Sequence, residues 1–316
     1  MTARIAFVFP GQGSQSVGMM AGFDAHPAVR ATFDEASDLL AQDLWALVTA
    51  GPESDLNQTV NTQPVMLTAG VAVWRAWRAA GGPLPEIVAG HSLGEYTALV
   101  AADALAFRDA LPLVRFRAQA MQEAVAPGIG AMAAILGLDA ATVAAACTEA
   151  AAQSGPTEIV EAVNFNAPEQ IVIAGHRAAV ERAIALATAK GAKRGVLLPV
   201  SAPFHSSLLK PAALRLAEKL AGVAVRAPGI PVLHNVDVRQ STTAEGVREA
   251  LARQAASPVR WVDTIQAFAA RGVTHVVECG PGRVLAGLNK RIARELKSFA
   301  LTDGTDIDAT KAALAG

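Results

Sequence analysis

The chain has 316 residues, 52% of them hydrophobic and 17% charged, with a formal net charge of −1. That length and apolar content exclude a disordered chain and supply a core for one large or two smaller domains. The near-neutral balance excludes a protein built around a basic nucleic-acid face. Cys147 and Cys279 stand far apart and outside any CxxC or histidine-rich cluster, so neither a zinc site nor a disulfide framework is expected, and a reducing cytoplasm is the simplest setting.

Met1-Thr2-Ala3-Arg4 enters a strand without the apolar segment of a signal peptide, and no run approaches the ~20 apolar residues of a membrane span. Arg4 to Phe9 reads as a buried strand, followed by the glycine-rich loop Pro10-Gly11-Gln12-Gly13-Ser14-Gln15. Helical patterns come next, near Pro27 to Leu40 and Gln63 to Ala80. The strand-like run Glu86-Ile87-Val88-Ala89 then feeds Gly90-His91-Ser92-Leu93-Gly94 and a helix-compatible stretch. A serine at a sharp strand-to-helix bend, flanked by glycines, is a nucleophile elbow: the hydroxyl projects outward and the Leu93 N–H faces any oxyanion formed there. A helix from about Phe107 to Val125 carries Arg108, Arg115 and Arg117.

Pro127-Gly128-Ile129-Gly130 breaks the chain. Strand Ala131 to Leu136, helix Asp139 to Gln153, strand Glu158 to Asn164, strand Gln170 to Ala174, helix Arg177 to Lys190 and strand Gly195 to Val200 follow. That βαββαβ order is the signature of a ferredoxin-like module. The expected fold is therefore α/β: a large α/β-hydrolase-like subdomain with a parallel sheet and the elbow (1–127 and 201–316), and an inserted small ferredoxin-like subdomain (128–200). The cleft between them is the natural substrate site. After Ser201 come a helix from Ser207 to Ala221, a strand at Pro231 to Asn235, helices at Glu245 to Gln254 and Val259 to Ala270, and strand His275 to Glu278, ending in Cys279-Gly280-Pro281-Gly282.

A serine hydroxyl needs a general base. Of six histidines, His91 adjoins Ser92, but neighbouring side chains on an elbow diverge, so it fits an orienting role better; His234 at a strand end stays open. His205 lies in the irregular segment Ser201-Ala202-Pro203-Phe204-His205, between a strand and a helix, where catalytic groups concentrate. Arg115 and Arg117 are two apart on a helix, so at most one of them faces the cleft.

Phe9-Pro10-Gly11-Gln12-Gly13-Ser14-Gln15, Gly90-His91-Ser92-Leu93-Gly94-Glu95, Val163-Asn164-Phe165-Asn166, Pro203-Phe204-His205 and Glu278-Cys279-Gly280-Pro281-Gly282 occur together in this order. From about Arg4 to Arg294 the chain resembles the malonyl-CoA:acyl carrier protein transacylases, stand-alone relatives of polyketide-synthase acyltransferase domains. The resemblance implies Ser92 as nucleophile, His205 as base, Gln12 beside the Leu93 N–H in the oxyanion hole, and Gln254 orienting the histidine through its backbone carbonyl. It assigns Arg117 to the malonyl carboxylate, which a planar guanidinium grips with two parallel hydrogen bonds. It places Gln63 and Asn166 in the substrate pocket, and makes Phe204 the bulky neighbour that disfavours methylmalonyl-CoA.

The implied reaction is ping-pong transfer of malonyl from malonyl-CoA to the phosphopantetheine thiol of acyl carrier protein, supplying fatty acid or polyketide synthesis. It calls for no metal or redox cofactor, no nucleic acid and no membrane, and a monomer is expected. Basic clusters at Lys190, Lys193 and Arg194, and at Lys290, Arg291, Arg294 and Lys297, are either docking charges or solvated faces. Among rivals, a serine hydrolase would put water in place of the thiol, and a carrier-docking protein without activity would have no use for Ser92, His205 and Arg117 together. A dinucleotide-binding oxidoreductase fails because Gly11, Gly13 and Gly18 miss the GxGxxG spacing.

Overall fold

The computed structural model describes residues 3–24, 26–153, 155, 157–200 and 202–315. Met1, Thr2 and Ser201, which carry expectations above, lie outside the described residues. In chain order the elements are β1 (Ile5–Phe9), α1 (Pro27–Leu40), α2 (Leu44–Ala50), α3 (Glu53–Leu56), α4 (Thr59–Ala79), β2 (Ile87–Gly90), α5 (Gly94–Ala101) and α6 (Phe107–Glu123). Then come β3 (Gly130–Leu136), α7 (Ala140–Ala152), β4 (Val160–Ala167), β5 (Gln170–His176), α8 (Arg177–Ala189) and β6 (Arg194–Leu197). The chain ends with α9 (Lys210–Ala221), β7 (Val232–Leu233), α10 (Ala244–Gln254), α11 (Trp261–Ala270), β8 (His275–Cys279), α12 (Val284–Ile292), β9 (Lys297–Leu301) and α13 (Gly304–Ala315).

β1, β2 and β8 are buried at every residue, as strands must be when helices cover both faces of a parallel sheet. They form the centre of a five-stranded sheet of order β7-β2-β1-β8-β9, all pairs parallel. Side-chain alternation splits β1 between two cores. Phe7 and Phe9 join the large cluster with α4, where the Phe7 ring centroid lies 5.5 Å from Trp74 and 5.2 Å from Trp77. Ala6 and Val8 face the opposite cluster of Trp261, Ile265, Phe268 and Leu285, supplied by α11 and α12.

The second sheet has order β4-β5-β3-β6 and is antiparallel throughout, the arrangement expected of the βαββαβ run. Ala131, Ala133 and Ile135 of β3 pack under α7 and α8 through Val143, Cys147 and Val180. Met132, Val172 and Ala174 point the other way and merge with the large core. The loop before α11 pairs with β4: Val259 N–H donates to Val163 O at 2.8 Å, and Phe165 N–H donates to Val259 O at 3.0 Å.

The departures from the sequence reading have local causes. α4 begins at Thr59 rather than Gln63, running through Pro64, which reads from sequence as a helix start. α11 begins at Trp261 rather than Val259, because the Val259 backbone is committed to β4. The helix expected from Ser207 opens with a 3-10 turn, Ser207–Leu209, before α9. α2, α3, α12, β9 and α13 carry no sequence expectation.

Candidate active site

The elbow is built by close approach. A Cβ on Gly90 would lie 1.9 Å from Gly94 C, and one on Gly94 would lie 2.0 Å from Phe9 O, so both positions require glycine. Between them Ser92 is held at φ 52°, a left-handed conformation that a serine adopts only under constraint. Asn235 supplies that constraint: its Oδ1 accepts from Ser92 N–H at 2.7 Å and its Nδ2 donates to Gly90 O at 2.6 Å. Gly11 in the first glycine loop packs against this turn, since a Cβ there would meet His91 O at 2.4 Å. Its glycine is thus explained without a nucleotide phosphate. The backbone N–H groups of Gln12 and Leu93 take part in no backbone hydrogen bond among the described residues, and the Gln12 side chain donates to Thr59 Oγ1 at 3.3 Å.

His205, buried and at φ 66°, places Nε2 2.6 Å from Ser92 Oγ. Its Nδ1 lies 3.0 Å from Gln254 O and 3.2 Å from Ser257 O. Carbonyl oxygens only accept, so Nδ1 carries the hydrogen and Nε2 keeps its lone pair for the serine proton. Burial, followed by the nearby Arg117 cation, pushes the His205 pKa down to about 3, which keeps the ring neutral. The orienting partners are two backbone carbonyls, making the pair a dyad.

Arg117 of α6 is 1% exposed, and burial lowers its pKa. Nη1 donates to Gln63 Oε1 at 2.8 Å; Nη2 donates to Gln254 Oε1 at 2.8 Å and Ser92 Oγ at 3.2 Å. These partners are all neutral, and the guanidinium lies 5.4 Å from the centre of the Tyr96 ring. Arg115, two residues away, turns elsewhere and donates to Gln42.

Gln254 does more than its backbone suggests. Its Nε2 donates to Ser92 O and to Glu95 Oε2, each at 2.9 Å, so one residue touches the base, the arginine and the elbow. Glu95 is fully buried, accepts from Asn235 N–H at 2.9 Å and lies 2.8 Å from His234 Nδ1. His234, left open as a base, is therefore occupied away from Ser92 Oγ, with Ser241 Oγ 2.9 Å from its other nitrogen.

A cavity of about 100 Å³ is lined by Gln12, Gln63, Ser92, Arg117, Phe204 and His205, among others. Asn166, expected to line it, does not: its Oδ1 lies 2.7 Å from His91 Nε2, and Asn164 is the asparagine facing the cavity. His91 is half-buried and packs beside Trp261, ring centroids 5.5 Å apart. Lys190 and Lys193 of the first basic cluster pair with Glu149 and Glu169. No group of three or more His, Cys, Asp and Glu residues among the described residues is placed to hold a metal ion, and no described helix is long and apolar enough to cross a membrane.

The acyl transferase domain family matches residues 6–315. Malonyl CoA-acyl carrier protein transacylase of Salmonella typhimurium is 52% identical over 307 residues, covering 97% of this chain and 98% of that protein. The chain belongs to the malonyl-CoA:acyl carrier protein transacylase family. Among solved members, the acyl-carrier-protein S-malonyltransferase of Burkholderia pseudomallei 1710b has a TM-score of 0.95 at 61% identity, covering 98% of this chain and 99% of that one. A malonyl-transacylase in complex with its type II PKS acyl-carrier protein has a TM-score of 0.95 at 49% identity, covering 98% of this chain and 100% of that one. Asn235, Glu95 and Asn164 escaped the sequence reading of this transacylase site. Glu95 and Asn164 stand inside the motifs that carry the resemblance, and Asn235 presents an amide side chain two residues past β7, but sequence alone assigns none of the three a role.

Proposed function

We propose that this chain moves a malonyl group from malonyl-CoA to the phosphopantetheine thiol of acyl carrier protein, by a ping-pong route through malonyl-Ser92, for fatty acid or polyketide synthesis. The observation that carries it is a buried arginine with only neutral partners, 3.2 Å from a serine hydroxyl that a neutral imidazole holds at 2.6 Å. The buried Glu95 carboxylate acts on Arg117 only electrostatically, with Gln254 between them, so an acyl group ending in a carboxylate supplies the directly bonded anion that Arg117 lacks. In the first half-reaction His205 Nε2 takes the Ser92 proton as Oγ attacks the thioester carbonyl, and the Gln12 and Leu93 N–H groups receive the oxyanion. The thiolate of coenzyme A leaves with the proton from His205. The carrier thiol then enters the same cavity, gives its proton to His205 and attacks the ester carbonyl; as the malonyl group passes to sulfur, His205 returns the proton to the released Ser92 Oγ.

Nucleophile, base and oxyanion donors all come from the chain, so the steps call for no metal or redox cofactor. Gln254 orients His205, and Gln63 steadies Arg117. Asn166 acts through His91 on the elbow, and Phe204 crowds the α-carbon against methylmalonyl. We assign 1–127 and 201–316 to the large subdomain and 128–200 to the small one. The enzyme works in the cytoplasm as a monomer; acyl carrier protein is its partner, a reading that the carrier complex of a similar transacylase supports. Incubation with malonyl-, methylmalonyl- and acetyl-CoA followed by intact-protein mass measurement tests this: the malonyl adduct dominates, and equal acetyl loading would refute the carboxylate assignment.

A further inference from the structure

Asn164 is a polar cavity-lining residue to which neither the sequence nor the mechanism gives a role. The β4–β5 ladder slips twice around it. Ala162 pairs with Ile173 and Asn164 with Val172, then Phe165 pairs with Ile171 and Ala167 with Gln170, so Val163 and Asn166 are extra residues on β4. Bulges of this kind re-aim side chains beside active sites. The flanking backbone is fixed, since Val163 O and Phe165 N–H are both bonded to Val259. Asn164 thus stands on an anchored strand, in the cavity that holds Ser92 and His205. Its Oδ1 is buried with no hydrogen-bond partner. A buried acceptor left unpaired is costly and uncommon, which points to a ligand donor.

The malonyl carboxylate and the thioester carbonyl offer only acceptors. The nearest N–H in either substrate belongs to the first amide of the pantetheine arm, separated from the sulfur by a short ethylene spacer and present in both coenzyme A and the carrier protein. We propose that Asn164 Oδ1 accepts a hydrogen bond from that amide N–H and so aligns the thioester on Ser92, an assignment that rests on the transacylase reading above.

The test compares two small donors: the malonyl thioester of N-acetylcysteamine, and its analogue in which oxygen replaces the amide N–H. The rate of Ser92 acylation is read by intact-protein mass spectrometry. The unsubstituted chain prefers the amide by about tenfold, as pairing a buried acceptor implies. Asn164→Ala removes that preference by slowing the amide donor alone, while Asn164→Asp, which keeps the acceptor, slows both donors but retains the ratio. Equal rates for the two donors in the unsubstituted chain, or an unchanged ratio in Asn164→Ala, would overturn the assignment while leaving transfer itself intact. Absence of any malonyl adduct from either donor in the unsubstituted chain would instead strike the transacylase reading and this assignment with it.

Discussion

At the scale of single residues the chemistry turns on charge around His205. A histidine that is buried and next to a cation holds its proton poorly, so it stays a neutral base well below pH 6.5. Acylation by malonyl-CoA is accordingly expected to show no acid limb near pH 6.5, and its rate measured by stopped mass sampling should hold until the fold itself fails. That failure has a direction: the unfolded chain protonates His205 near its ordinary 6.5 while the folded chain resists to about 3, so stability falls as pH drops through this window. Arg117→Ala removes the second cause of the depression, raising the His205 pKa while burial still keeps it below the ordinary value. The same variant loses charge-assisted hydrogen bonds to the malonyl carboxylate, which predicts a roughly 10- to 100-fold lower malonyl rate with acetyl transfer much less affected. An unaltered malonyl-to-acetyl ratio would remove Arg117 from recognition. Ser92 is legible from five residues of sequence because a strained turn demands that local pattern. Asn235 and Glu95 are not, since their partners Ser92 and Gly90, or Gln254 and His234, lie more than a hundred positions away.

At the scale of elements, the strand-turn-helix around Ser92 depends on backbones touching where side chains would stand. Gly94→Ala should cost roughly 3 kcal/mol or more, because its Cβ meets the Phe9 carbonyl at 2.0 Å and that oxygen belongs to a central strand. A thermal midpoint within a degree or two of the unsubstituted chain would show that the turn relaxes and that the glycine is not required. α12 illustrates why some elements escape a sequence reading. Its first turn is capped by Glu278, a buried side chain on β8 whose two oxygens accept from Leu285 N–H at 3.1 Å and Ala286 N–H at 2.8 Å. No local capping residue announces the helix. Burial pushes the Glu278 pKa up to about 7, the backbone donors opposing it. β9 is an edge strand, exposed at Lys297 and only partly buried through Ser298 to Ala300, so it lacks the apolar run that marks β1 and β8.

At the scale of the whole molecule, the two sheets meet where the chemistry is. The antiparallel sheet contributes Met132 and Asn164 to the cavity, and the parallel sheet contributes the elbow. Val259 ties β4 to the loop before α11, two residues after Ser257, whose carbonyl faces His205. Val259→Pro deletes the N–H bonded to Val163 and should cost about 1–3 kcal/mol while slowing acylation through a displaced imidazole; calorimetry with adduct kinetics reads both, and a stability loss with unchanged kinetics would uncouple the tie from the dyad. The most direct measurement is intact-protein mass after malonyl-CoA, followed by addition of phosphopantetheinylated acyl carrier protein. The expected result is a malonyl adduct that waits in buffer and discharges onto the carrier thiol, and none on Ser92→Ala. An adduct of equal size on Ser92→Ala, or one that water removes as fast as the carrier does, would contradict it.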